Sequence, residues 1–159
     1  MTNPAPTPAG FLAFVRATGI TPTVLPDDSV WLDYAYQVAL AVVNLVLCQV
    51  PGPIYMLSVY NLGVSNLLNF AQDLPDSAPI AGSEPPLPFF AYSRQKYQIN
   101  SFVSGVIQSA GDEGTNESMV VPKPAEDFTL ADLQYLKDPY GRQYLQFAQR
   151  YGTQWGLTI

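Results

Sequence analysis

From Tyr34 to Gln72 the chain carries no charged residue, although Asp and Glu outnumber Lys and Arg by 13 to 7 over its whole length. An uncharged, largely apolar stretch of that size has to be withdrawn from water by lipid, by the protein's own core or by neighbouring copies of the chain. Which of the three covers it decides the architecture.

The stretch reads as two helices. Asp27, Asp28 and Ser29 offer N-cap oxygens and negative charge where a helix dipole favours them, so the first helix is expected to begin near Ser29. Trp31, Tyr34, Ala35, Val38, Val42, Leu45, Val46 and Gln49 follow the 3.6-residue period. Leu40, Val43 and Leu47 make the opposite side apolar too, which predicts burial on more than one side. Pro51-Gly52-Pro53 stops that helix, and a second runs from about Pro53 to Gln72. The short connector predicts an antiparallel helix hairpin.

Each run approaches the length that crosses a bilayer. Against lipid, the second run carries Ser58, Asn61, Ser65, Asn66 and Asn69, polar groups that hydrocarbon penalises. No Lys or Arg flanks either helix to anchor a topology. Burial against protein is therefore the expectation, with self-association as the simplest cover for faces that so small a chain cannot enclose. Trp31, Tyr34, Val38 and Val42 are the subunit-interface candidates on the first helix.

The expected fold class is mainly α: a helical bundle built on the long antiparallel hairpin, with an extended β-hairpin-like arm, a C-terminal helix and a tail. Residues 1–8 read as a flexible Pro-rich leader, residues 9–151 as the helical domain, and residues 152–159 as a docking tail. Within the domain, a short helix near Ala9 to Thr18 presents Phe11, Phe14 and Val15 on one face and ends at Gly19. Pro75, Pro79, Pro85, Pro86 and Pro88 make residues 73–88 a loop, and Phe89 to Tyr97 gives a short helix. Residues 103–121 read as the arm, or as a surface loop, because an isolated two-stranded hairpin is marginal in water. A helix follows near Leu130 to Lys137, and another opens at Pro139 and runs to about Tyr151. On that last helix Tyr140, Tyr144, Phe147 and Tyr151 recur at helical spacing. Tyr140 and Tyr144 join the interface candidates, since aromatic stripes serve cores and protein contacts alike.

The rest of the composition narrows the function. With 159 residues, 48% of them hydrophobic, the chain can form one domain with a core, and 15 Pro and 11 Gly give it long loops. A net charge of −6 and a pI near 4.3 oppose a grip on nucleic-acid phosphates. There is no His, and the single Cys48 sits in an apolar helical run, where it reads as a small buried hydrophobe. The usual nucleophile, zinc and nucleotide motifs are absent from the sequence, so no catalytic residue, metal or cofactor is expected and the chain is not read as an enzyme. Asp112, Glu113, Asn116 and Glu117 do not match the spacing of a calcium loop. The N-terminus lacks the pattern of a signal peptide, which predicts a protein made in the cytoplasm.

One set of motifs is more specific. Leu25-Pro26-Asp27-Asp28-Ser29 leads into the first helix, and Tyr60-Asn61-Leu62-Gly63-Val64-Ser65-Asn66-Leu67-Leu68 forms the second. Gly105-Val106-Ile107-Gln108-Ser109-Ala110-Gly111 follows, and Asp138-Pro139-Tyr140-Gly141-Arg142-Gln143-Tyr144-Leu145 lies near the C-terminus. In this order the chain resembles the head-to-tail adaptor proteins of tailed bacteriophages, also called head-completion or connector proteins, over most of Leu25 to Tyr151. It departs from their pattern at Asn66, where a His is common, at Asp138, where Thr is usual, and in the long proline-rich loop.

The resemblance implies a structural protein of the virion neck, at the head-tail junction. Such a protein forms a homo-oligomeric ring, most often twelve-fold, that binds the portal protein on one side and a tail or neck protein on the other. DNA passes through its channel without specific binding, which an acidic lumen favours; Asp73, Asp76, Glu84, Asp112 and Glu113 are candidates to line it. Tyr151, Trp155, Leu157 and Ile159 are the candidate portal-docking residues. Two other readings stay open on the residues: a small two-span membrane protein such as a lysis factor, and a soluble helical module that binds a partner.

Overall fold

A computed structural model describes residues 3–75, 77–80, 85–101, 109–112, 115–118 and 130–151. The described chain is mainly helical. Its helices are α1 (Pro8–Ala17), α2 (Val30–Val42), α3 (Ile54–Phe70), α4 (Phe89–Lys96), α5 (Leu130–Tyr135) and α6 (Pro139–Tyr151), with a 3₁₀ turn at Leu45–Gln49. Two short strands, β1 (Ser109–Asp112) and β2 (Thr115–Ser118), pair antiparallel with Ala110 opposite Glu117. Among the described residues no helix is long and apolar enough to cross a membrane.

The second half of the uncharged run becomes the axis of the core. Every residue of α3 from Ser58 to Leu68 is buried, with α2 and α6 packed along it and α1 and α4 touching it more briefly. A helix buried all round can carry polar side chains only where each finds a partner. Ser58 Oγ and Asn61 Nδ2 donate to the carbonyls of Ile54 and Leu57, one turn back, at 2.7 and 2.8 Å. Asn69 Nδ2 does the same to Ser65 O at 2.7 Å, and its Oδ1 accepts from Gln134 Nε2 on α5. The serines and amides that argued against lipid are thus absorbed largely by the helix itself.

Helix α1 crosses this axis through aromatic packing. Phe11 stacks on Tyr36 of α2 and Tyr60 of α3, with ring centroids 5.6 and 5.9 Å away. The Phe11 ring lies so near the α3 backbone at Gly63 that a Cβ there would fall 2.6 Å from it. Glycine at 63 is therefore what lets the two helices approach. Arg16, in the last turn of α1, donates to the carbonyls of Ile20 and Leu25, both at 2.7 Å, and pairs with Asp27, which fixes the extended segment leading into α2.

Three expectations differ from what the structure shows. The first long helix does not continue to Pro51: α2 stops at Val42, Val43 turns extended, and Asn44 Oδ1 accepts from Val46 N to open the 3₁₀ turn. An Asn side chain competes for backbone in this way, and two consecutive valines just before it add little helix propensity. Cys48, expected in the core, is exposed; in this turn it is Leu47 that points inward. Residues 3–7, expected as part of a free leader, are held. Asn3 Nδ2 donates to Cys48 O and Val50 O at 2.6 and 2.9 Å, and its Oδ1 accepts from Gly52 N. Thr7 then caps α1, receiving Gly10 N on its hydroxyl.

Candidate functional site

Two regions of the sequence reading meet the structure in opposite ways. The first is the segment from Asp138 to Leu145, the most specific of the quoted motifs. Pro139 occupies the first turn of α6, where its missing N–H costs nothing. Asp138 is the cap: its Oδ1 accepts from Tyr140 N and Gly141 N at 3.0 and 2.8 Å, while its Oδ2 accepts from Ser65 Oγ of α3 at 2.7 Å. The carboxyl is completely buried. Burial pushes its pKa up, and the bonds from Gly141, Ser65 and Tyr140 and the charge of Arg142 offset this only in part. At Gly141 a Cβ would lie 2.3 Å from the carbonyl oxygen of Tyr135, so the motif's glycine permits the α5–α6 corner.

The motif's tyrosines serve the same junction. Tyr144 meets Tyr135 edge to face, centroids 5.9 Å apart, and burial pushes its phenol up to about 12. Tyr140 is half-buried, packs against the core, and is likewise shifted upward by burial. Both interface candidates on α6 therefore make contacts within their own chain. Tyr151 closes α6 half-buried against the core, with the Arg150 guanidinium 5.6 Å from its ring. Trp155, Leu157 and Ile159 lie outside the described residues.

The second region is the outer face of α2, which is left open. Val30 is 76% exposed, Tyr34 60% and, beyond the helix end, Leu45 68%; Val42 and, at the end of α3, Phe70 are exposed too. Trp31 is half-buried and sets its ring at right angles to Tyr34, centroids 6.3 Å apart. Trp31, Tyr34 and Val38, three of the four candidates on α2, line one groove of about 770 Å³ with Val30, Asp33, Gln37, Asn66 and Phe70. Val42 lies beyond it. Asp33 supplies the groove's only charge and receives Gln37 Nε2 at 3.4 Å.

Asn66 enters this groove from α3 and is not among the site residues read from the sequence. It is 7% exposed, and its Nδ2 has no hydrogen-bond partner. That sets it apart from Ser58, Asn61 and Asn69 of the same helix, whose donors are satisfied. Val30, Leu45 and Phe70 were also missed, since periodicity alone does not tell an apolar outer position from an inner one.

Of the acidic residues considered for a channel lining, Asp73 is engaged inside the fold. Its two oxygens accept from Phe90 N and Ala91 N at 2.8 and 2.9 Å, capping α4. Arg94 of the same helix donates to the carbonyls of Leu68, Asn69 and Ala71, closing the C-terminus of α3. Asp76, Glu84 and Glu113 lie outside the described residues, as does the Asp112 side chain. Among the described residues no group of His, Cys, Asp and Glu could hold a metal ion. Compared with protein-family models, with curated proteins and with solved structures, the chain matches none.

Proposed function

We propose that this chain is a structural ring subunit, a head-to-tail adaptor that joins the portal to the tail in a tailed bacteriophage. The observation that carries the self-associating part is the open face of α2, an apolar and nearly uncharged surface on a chain of net charge −6. Monomers seldom leave such a surface bare, and identical subunits are its most economical cover. The phage assignment rests on the resemblance of the quoted motifs. Asp138 standing where Thr is usual is compatible with it, because both residues accept hydrogen bonds as N-caps.

In this reading α2 and α3 are the legs of an antiparallel hairpin whose outer face builds the ring wall. The β1–β2 pair belongs to an arm, residues 103–121, that reaches an adjacent subunit, since two short strands need a surface to rest on. Tyr151 and the tail with Trp155, Leu157 and Ile159 dock on the portal, a tail or neck protein binds the other side, and DNA slides through a channel of like charge. The protein would then reside in the virion neck, without catalytic chemistry or a cofactor.

Light-scattering mass of the detergent-free protein, alone and mixed with a portal ring, tests this. A closed ring of about a dozen subunits, or monomers that gain that mass only on the portal, is the expected result. A protein that stays monomeric and ignores the portal, or that dissolves only in detergent, would end the proposal.

A further inference from the structure

We infer that neighbouring copies meet head to tail along α2, the Val42–Leu45 knuckle of one copy seated in the Trp31–Tyr34–Phe70 groove of the next. This rests on the ring reading above and names the contact that would build it. Three features of the two surfaces match.

The first is charge. An acidic chain that binds itself has to do so where like charges are sparse. From Tyr34 to Leu45 the outer face has no charge, and the groove has only Asp33, at its rim. The second is shape. The knuckle projects apolar side chains from the point where α2 breaks, with Leu45 the most exposed of them. The groove's 770 Å³ is more than an aliphatic pair requires and falls in the range of built binding pockets.

The third is hydrogen bonding. Asn66 holds an unpartnered amide donor in the groove, nine-tenths buried. At the other end of α2 the situation is reversed. The last carbonyls of a helix have no intrahelical donor, and here only Ala39 O is taken, by Val43 N. Among the described residues no donor reaches the carbonyls of Leu40, Ala41 or Val42. No basic residue lies in that last turn to satisfy them. A buried donor on α3, in the groove beside Tyr34, and acceptors without a donor in the last turn of α2 therefore stand apart in one chain, with Tyr34 and Val42 separated by about 12 Å of helix rise. One copy cannot bring them together, but successive copies can. Two different patches meeting in this way make a heterologous contact, which generates a ring when its rotation closes.

Cys48 provides the test. In a 3₁₀ turn residues three apart eclipse one another, so Cys48 shares an edge with Leu45, and both are exposed. The variant Gln37→Cys adds a second thiol at the groove, and a short bismaleimide is then applied to the full chain at concentrations where it self-associates, or on the portal. Head-to-tail contact joins Cys48 of each copy to the new thiol of the next, giving a ladder that extends past the dimer. The wild type, with Cys48 alone, gives no cross-link. Adding Leu45→Asp, an exposed position that leaves helicity by circular dichroism unchanged, removes the ladder and weakens association at least about tenfold. Asn66→Leu weakens it to a smaller degree while the monomer unfolds no more readily.

Assembly without a ladder, or a ladder indifferent to Leu45→Asp, would overturn this contact and leave the ring standing. Cross-linked dimers of the wild type would replace it with a two-fold contact. Failure to self-associate under any of these conditions would remove the ring reading and this inference together.

Discussion

The uncharged run has two halves with opposite fates. Helix α3 is enclosed from Ser58 to Leu68 and nearly all its polar side chains are paired inside the chain. Helix α2 buries only Leu32, Ala35, Tyr36 and Ala39 and turns Val30, Tyr34 and Val42 to the outside. The same sequence signal, absence of charge, thus means core in one helix and unfinished surface in the other. Among the side-chain amides of α3, those of Asn61 and Asn69 donate within the chain, though Asn61 Oδ1 accepts nothing, and where the helix meets the open groove the Asn66 amide donor has no acceptor.

If α3 is the closed half, cutting its cross-links should unfold the monomer. The largest effect is expected for Asp138→Ala, which strands Tyr140 N, Gly141 N and the Ser65 hydroxyl together; removing acceptors from buried donors predicts a loss of about 3–5 kcal/mol in urea unfolding. The conservative Asp138→Asn sharpens the point through pH. Burial raises the folded-state pKa of Asp138 above its unfolded value, so its contribution is fully present below the unfolded pKa and is lost as pH rises through the folded one. The stability of the wild type relative to Asp138→Asn should therefore fall between acidic and neutral pH. A flat difference would show that the carboxyl titrates as an ordinary surface acid.

A smaller loss is expected for Gly63→Ala. Its Cβ would lie 2.6 Å from the buried Phe11 ring, and forcing a close-packed aromatic aside costs about 1–3 kcal/mol. The gain in helix propensity, about 1 kcal/mol, offsets part of this, leaving a net destabilisation of up to about 2 kcal/mol by thermal or urea unfolding. A variant more stable than the parent would show that α1 can back away from α3.

The smallest effect on folding, and the sharpest contrast, belongs to Tyr34→Asp. At a position 60% exposed a substitution should shift stability by no more than about 0.5 kcal/mol. The same charge placed on the open face should abolish self-association, read as sedimentation of the monomer alone. Equal damage to folding and assembly would mean that α2 and α3 are not two different kinds of surface.

Much of this was legible beforehand because it depends on neighbours in sequence. Ser29 caps α2, Gly19 follows α1, Pro139 sits in the first turn of α6, and the short helix after Pro88 lies where the proline run ends. The interface candidates on α2 came from the same periodicity, and three of the four share one groove. Tyr140 and Tyr144 show where periodicity stops being informative. An aromatic stripe has the same spacing whether it meets its own chain or another, and here Tyr144 meets Tyr135. Cys48 lies outside the core that periodicity predicts for it because Asn44, whose side chain takes the Val46 N–H, interrupts the continuous helix.

By itself the sequence determined that the chain is mainly helical, that thirty-nine consecutive residues carry no charge, and where Ser29 and Pro139 open helices, since all of these follow from local sterics, hydrogen bonding and solvation. Only the tertiary structure decided that Asp138 locks α6 to Ser65, that Asn3 ties the N-terminal segment to the turn after α2, and that Asn66, alone among the amides of α3, faces an open groove with its donor unpaired. Those facts depend on which distant residues share a boundary, and a helical period specifies a face without specifying what stands opposite it.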